Sequence, residues 1–427
     1  MKHDAYRLML VAGARPNFMK IAPLMRELRK HGDFAPILVH SGQHYDEAMS
    51  QLFFDELEIP RPQINLEVGS ASHAVQTARI MERFEPVCVE NEPDAVLVVG
   101  DVNSTAACVL VAAKLGIATI HYEAGLRSRD RSMPEEINRI VTDSICDLFF
   151  TTSADADDNL VAEGKPRDRI HMVGNLMIDT LVHFLPKIRA ARVEPVVIGG
   201  GAGIAGLSER NEADAQRVID AEKMPGAKSS EGEKGVSGRE STEKVRGTQS
   251  MRNTGKAQGA RPYAVMTFHR PNNVDDREVL AGLVDQWRRL AADIPIVFPV
   301  HPRTLKQLKA FGLWERIEKA EGMLLCEPLG YLPFMNLVCG AALVITDSGG
   351  IQEETTYLHI PCLTVRPSTE RPVTIRQGSN RLIKPHEVES ESRRVLEGGE
   401  RFDQVPPLWD GRAAGRIVEK LRLHYYA

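Results

Sequence analysis

Nine apolar runs of strand length punctuate the chain, "YRLMLVA", "APILVHS", "DAVLVVG", "IATIHY" and "CDLFFTT", then "YAVMTF", "IPIVFPV", "ALVITD" and "CLTV", with longer helical patterns between them. This alternation restricts the fold more than any other feature. Runs apolar at successive positions, not at every second one, belong to strands buried on both faces, and helices that follow them supply both the crossovers and the cover. The prediction is α/β, with two Rossmann-like, doubly wound parallel-sheet domains, because the runs fall into two series. Residues 1–192 form the first domain and 262–400 the second, and 401–427 are a helical segment packing back on the first. At 427 residues the chain is long enough for each domain to bury its own core.

Between the series the composition changes. From Pro195 to Arg261 there is no Phe, Trp or Tyr, and Gly, Ser, Lys, Glu and Arg dominate after Met224. Such a stretch cannot bury enough apolar surface to offset chain entropy, so 193–261 is read as a flexible low-complexity insertion or linker. It opens with "VVIGGGAGIAGLSE", in which Gly201, Gly203 and Gly206 have G-x-G-x-x-G spacing. A working dinucleotide fingerprint needs a helix, a second strand and an acidic residue about 20 positions on, within one βαβ unit. A helix is possible from about Ser208 to Lys223, but the low-complexity sequence starts where the second strand is required. Asp220 then has no strand to sit on. The glycines are therefore assigned to a connector, and no flavin or nicotinamide cofactor is expected.

A net charge of −5, with 43% hydrophobic and 26% charged residues, describes a globular protein with no electrostatic attraction to nucleic acid or an anionic membrane. A small metabolite is the expected partner. The six cysteines lack C-x-x-C spacing and lie mostly in apolar runs, which suits reduced, buried thiols and a cytoplasmic location. No signal-peptide pattern, membrane-length apolar run or metal-ligand spacing such as H-x-x-H is found.

In open α/β sheets ligands sit beyond the carboxyl ends of the strands, so the residues there carry the functional reading. After the first strand, "AGARPNFMKIAPL" places Arg15 and Lys20 around a helix start with Pro16, either an anion site or a solvated basic turn. Asp101 follows "DAVLVVG" and Glu123 follows "IATIHY", with Glu135 further on in "MPEEINR". Asp101 fits an N-cap or proton chemistry; Glu123 has no capping duty at its position. In the second series, His269 and Arg270 end a strand, and Ser348, Gly349 and Gly350 form a strand-to-helix turn whose bare amides can hold a diphosphate, with Glu354 able to accept from ribose hydroxyls. His40, His301 and Asp347 are read as core or capping residues. The combination describes a cleft that grips an anion and moves protons beside it.

The segments "GARPNFMKIAPL", "SGQHYD", "VVGDVNST", "HYEAGLRS", "MPEEINR", "VGNLMIDTL", "TFHRPNNVDD", "YLPF", "TDSGGIQEE" and "TERP" resemble, in order and spacing, the non-hydrolysing UDP-N-acetylglucosamine 2-epimerases. The likeness covers nearly all of residues 6–192 and 262 to about 385. It implies a GT-B-like pair of domains facing across a cleft, closure on a UDP-sugar, usually a homodimer, and a reaction without redox cofactor or metal. That reaction interconverts UDP-N-acetylglucosamine and UDP-N-acetylmannosamine, or derivatives of them, through UDP elimination and a 2-acetamidoglucal. The chemistry agrees with the residues, since C2–H is not next to a carbonyl and is acidified only as UDP departs from C1.

Groups able to stabilise the departing diphosphate are Arg15, His269 and the 348–350 amides. Two-faced proton transfer needs two acid/base groups, for which Asp101, Glu123 and Glu135 are the candidates. By resemblance Asp101 and Glu135 transfer protons, Glu123 positions or stabilises, Phe334 lies near the uracil, Glu354 at the ribose and Arg371 on the substrate side. Gln43 and His44 match an effector region, but Tyr45 and Asp46 depart from the pattern of members activated by their own substrate, and Val373 stands where many members have Glu. A GT-B glycosyltransferase using a UDP-sugar donor is the alternative, with a nucleotide-sugar sensor as a third reading.

Overall fold

The computed structural model describes residues 5–42, 54, 56–191, 193, 196–199, 262–398 and 404–425, except for the side chain of Arg15. The first half contains β1 (Tyr6–Ala12), α1 (Arg15–Leu28), β2 (Phe34–His40), β3 (Ile64–Asn65), α2 (His73–Asn91), β4 (Ala95–Val99), α3 (Asn103–Lys114), β5 (Ala118–Tyr122), α4 (Pro134–Ile145), β6 (Leu148–Thr151), α5 (Ala154–Ala162), β7 (Ile170–Met172) and α6 (Leu176–Ala190). Its strands form one parallel sheet in the order β3-β2-β1-β4-β5-β6-β7. All five residues of β4 are buried, as expected of a strand covered on both faces.

The second half begins with β8 (Val197–Gly199) and continues with β9 (Ala264–Thr267), α7 (Arg277–Asp293), β10 (Ile296–Pro299), α8 (Pro302–Ala310), β11 (Met323–Cys326), α9 (Tyr331–Cys339), β12 (Leu343–Thr346), α10 (Ile351–Tyr357), β13 (Cys362–Val365), β14 (Asn380–Ile383) and α11 (Val388–Glu397). The sheet order is β14-β13-β12-β9-β10-β11-β8, parallel except where β8 runs antiparallel to β11. Trp287 of α7 is fully buried between Phe268 and Phe298, with ring centroids 4.9 and 5.4 Å away. Burying an aromatic side chain of this kind contributes roughly 2–3 kcal/mol.

Each of the nine apolar runs contains a strand. Strands β3, β7, β8, β11 and β14, two to four residues long, were not anticipated as sheet members. The antiparallel β8 corrects one reading. The linker boundary at 193 is too early, because 197–199 belong to the second sheet. The glycine fingerprint lacks its parallel first strand, as the pyrophosphate-binding geometry requires a parallel βαβ unit. Gly201, Gly203, Gly206 and the helix expected over 208–223 lie outside the described residues.

The last helix, α12 (Ala413–Tyr425), returns to the first half and packs on α1 and α6. The Asp179 carboxylate of α6 accepts from the Ala413 and Ala414 amides at 3.0 and 2.8 Å, and Arg422 pairs with Asp33. Helix α6 also packs on α9 and α10, and Asn336 donates to the Ile188 carbonyl at 2.7 Å. Among the described residues no helix is long and apolar enough to cross a membrane.

Candidate active site

Both sheets reverse their winding direction once, between β1 and β4 and between β9 and β12. Switch points of this kind splay the following loops apart and leave a crevice. In the first, Asn17 of α1 accepts from the Gly13 and Ala14 amides at 3.2 and 2.9 Å and donates to the Val99 carbonyl at 3.1 Å, tying the ends of β1 and β4 together. Gly100 follows in a left-handed turn, φ +73°, where an added Cβ would lie 3.1 Å from the Asn17 amide nitrogen. The turn presents Asp101, whose side chain is 29% exposed and ion-paired to buried Arg139 of α4. Arg139 also reaches Glu136 at 2.6 Å, and Glu136 accepts from the Ser128 and Arg129 amides, both at 2.9 Å. Burial alone would raise the Glu136 pKa, but these amides and Arg139 hold it below the ordinary value.

Glu123, just past β5, is buried and has φ +71°. A non-glycine residue in that region costs of order 1–3 kcal/mol and persists where surrounding contacts over-determine it. Its carboxylate is ion-paired to Lys20, which is itself buried. Glu135 is half-buried on the first turn of α4 and has no hydrogen-bond or ion-pair partner among the described residues. The adjacent glutamates of "MPEE" thus divide: Glu136 is locked to backbone and Arg139, while the Glu135 carboxylate is unengaged.

At the second switch point Asp347 is fully buried at the end of β12. It accepts from the His269 and Arg270 amides, from Asn273 at 3.1 Å, and from His269 Nδ1 at 2.9 Å. Burial works against its ionised form, but the His269 ring and these donors outweigh it and lower its pKa. Asp347 therefore orients the His269 ring, whose side chain is 37% exposed, beyond the core role read from sequence. His301 caps α8 through the Arg303 amide, as anticipated. Arg270 Nε and Arg366 Nη1 are buried donors without a hydrogen-bond partner among the described residues. A Cβ at Gly349 would sit 2.9 Å from Glu370 and 3.6 Å from Arg366 Nη1. The Ser348–Gly350 turn accordingly lies against the Arg366 and Arg371 guanidiniums, of which Arg366 keeps Nη1 free to donate, a geometry suited to an oxyanion.

The two mouths meet at Arg371. Its guanidinium lies 3.5 Å from Glu123 of the first half and 2.8 Å from Glu353 of α10, and is paired to Glu370 as well. Arg366 reaches Glu370 at 3.1 Å, and Asn175 of α6 donates to Glu353 at 2.8 Å. Burial would raise the Glu370 pKa, yet Arg371, Arg366 and Arg139 drive it well down; Glu353 is raised by burial, with Glu123 adding to the effect. Neighbouring Glu354 is buried, accepts from the Tyr331 hydroxyl at 2.9 Å and is pushed up to about 8 by burial. Phe334 is half-buried against the core, one turn along α9 from Tyr331. Among the described residues no cluster of His, Cys, Asp and Glu is arranged to hold a metal ion.

A sequence model of the family described as UDP-N-acetylglucosamine 2-epimerase matches residues 26–198 and 236–422. The chain belongs to the UDP-N-acetylglucosamine 2-epimerase family. It is 35% identical over 421 residues to a Methanococcus maripaludis protein named a UDP-N-acetylglucosamine 2-epimerase homolog, covering 97% of this chain and 99% of that one. It is 31% identical over 419 residues to a Pseudomonas aeruginosa UDP-2,3-diacetamido-2,3-dideoxy-D-glucuronate 2-epimerase, covering 97% and 99%. The fold matches the crystal structure of the Methanocaldococcus jannaschii UDP-GlcNAc 2-epimerase in complex with UDP-GlcNAc and UDP, with a TM-score of 0.75, 32% identity and coverage of 98% and 99%. The architecture is accordingly GT-B-like.

Within this 2-epimerase family member, the structure gathers Asp101, Glu123 and Lys20 at one mouth and His269, Arg270, Ser348, Gly349 and Gly350 at the other, with Arg371 between them. The Arg15 side chain, Gln43 and His44 lie outside the described residues. Sequence reasoning missed Asn17, Arg139, Glu353, Arg366 and Glu370, and gave Asp347 too small a role. Several of these sit within the quoted motifs one or two positions from a named residue, and long-range partners such as Arg139 with Asp101 carry no local periodicity that could have marked them.

Proposed function

We propose that the protein inverts C2 of a UDP-N-acetylhexosamine by eliminating and re-adding UDP. The C1–O bond to the diphosphate breaks as a base removes the C2 proton; the electron pair becomes the C1=C2 bond of a 2-acetamidoglucal. Reprotonation at C2 from the other face and attack of the UDP oxygen at C1 complete the cycle, so no electrons or atoms are gained. Arg270, Arg366, His269 and the 348–350 amides stabilise the departing diphosphate, with Arg15 added from sequence. Asp101 and Glu135 exchange the C2 proton, one on each face, and Glu123, held by Lys20 and Arg371, supplies electrostatic support. The single observation carrying this reading is the junction itself, where the carboxylates of one switch point and the cations of the other are joined through Arg371 and Glu123 at 3.5 Å.

The test is incubation with UDP-N-acetylglucosamine in deuterium oxide. Deuterium at C2 of both epimers is expected; UDP release to an acceptor with no exchange marks a glycosyltransferase and refutes the reading, as does tight binding with no turnover. Running the 2,3-diacetamido uronate beside the plain sugar assigns the substrate within the class, since relatives of both names match at similar identity.

A further inference from the structure

The His121 ring is completely buried on β5, two residues before Glu123, and touches no solvent. Its Nε2 lies 2.9 Å from the carbonyl oxygen of Gly100, the residue before Asp101. A carbonyl can only accept, so this nitrogen carries a proton. Its Nδ1 lies 2.6 Å from Asp143 Oδ1 of α4. The other Asp143 oxygen accepts from the Gly125 amide at 3.0 Å and pairs with Arg127 at 2.7 Å. Burial opposes ionisation of Asp143, and the His121 ring and Arg127 outweigh it, so both of its oxygens act as acceptors. One continuous chain of hydrogen bonds therefore runs from the turn after β4 to the turn after β5.

Both turns are left-handed, at Gly100 (φ +73°), Glu123 (φ +71°) and Gly125 (φ +76°). The glycines adopt this backbone freely, whereas Glu123 keeps it only when contacts impose it. Arg127 and Asp143 alone could fix the second turn; the backbone joins the two turns once, from the Gly100 amide to the Tyr122 carbonyl at 3.1 Å, and the imidazole, with nitrogens on opposite sides of the ring, adds the side-chain link to the first. An apolar core at this place would avoid the desolvation of three ionisable groups. We propose that His121 and Asp143 form a positioning pair that fixes Asp101 and Glu123 relative to each other, acting through backbone and never touching the substrate. This rests on the epimerase reading above.

The two nitrogens can be tested separately. In His121→Asn the side-chain amide reaches the Nδ1 position and keeps Asp143, but the donor to Gly100 is gone. In His121→Gln the amide reaches the Nε2 position and keeps that donor. Misplacing a catalytic group by about 1 Å costs on the order of 100-fold, so kcat per folded site in His121→Asn is expected to fall by roughly that factor, with KM nearly unchanged and a larger primary isotope effect at C2. His121→Gln is expected to recover part of the loss. Asp143→Asn, which keeps side-chain shape, serves if the histidine variants do not fold, and is expected to lower kcat with the same rise in isotope effect. Unchanged kcat per folded site and isotope effect in His121→Asn, or in Asp143→Asn if that is the one that folds, overturn the proposal, as does a His121→Gln no better than His121→Asn. Wild-type enzyme without C2 exchange refutes the epimerase reading instead, and the positioning role with it.

Discussion

Glu354 offers the clearest coupling between the site and stability. Its carboxyl is buried on α10 and held up to about 8, burial outweighing the hydrogen bond from Tyr331 and Glu353 adding to the rise. An unfolded glutamate titrates near roughly 4.3, so the folded chain holds this proton across a window of more than three pH units. The sign follows: the folded-state pKa is raised, so the stabilisation is complete below the unfolded value and is lost as pH rises through the folded one. The slope within the window is about 1.4 kcal/mol per pH unit, or about 4 kcal/mol between pH 5 and 8. Water entry around the ionised group reduces this, and about 2 kcal/mol is the expected minimum. Glu354→Gln keeps the shape without the proton equilibrium. Urea unfolding of both proteins at pH 5, 6.5 and 8 gives the difference between them, in which other titrating groups cancel. The wild type should lose ground to the variant steadily with rising pH. A flat difference, or one of opposite slope, would show that Glu354 is ionised in the folded protein and refute the reasoning.

Three further outcomes are expected. Asp101→Asn keeps the shape of the side chain but removes a proton-transfer group, so turnover should drop by about 100- to 10,000-fold while UDP affinity by calorimetry stays close to wild type. Arg371→Leu strips the shared cation from buried Glu123, Glu353 and Glu370; a loss of about 3–5 kcal/mol by denaturant unfolding is expected, and a loss below about 1 kcal/mol would mean those carboxylates relax into solvent. Removing residues 200–235, which the family match skips, should leave kcat and KM for the UDP-sugar unchanged, and impaired turnover in a folded protein would assign that stretch a part in the reaction.

Much of the fold was legible because burial on both faces leaves a contiguous apolar run, and nine such runs separated by helical patterns admit few architectures. The antiparallel β8 was not legible: it holds its place by pairing with β11, more than 120 positions away, and nothing in "VVIGG" encodes direction. The same division runs through the site. Residues at strand ends could be named from sequence because chain order alone puts them at a sheet's mouth, as with Asp101, Glu123, His269 and Ser348. The pairings that set their charge and orientation could not. Asp347 gives His269 its direction, Lys20 neutralises Glu123, and His121 holds the Gly100 carbonyl, each across a separation that only the closed sheet abolishes.

By itself, then, the amino-acid order determined two parallel sheets, the strand ends where chemistry can occur, and the family resemblance carried by its motifs. Tertiary structure decided which of two adjacent glutamates is locked away, which cations keep unspent donors, and that both switch points share Arg371. The reason is range. Hydrophobic periodicity is a property of neighbours along the chain, whereas protonation and ion pairing depend on desolvation and on charges within a few ångströms in space.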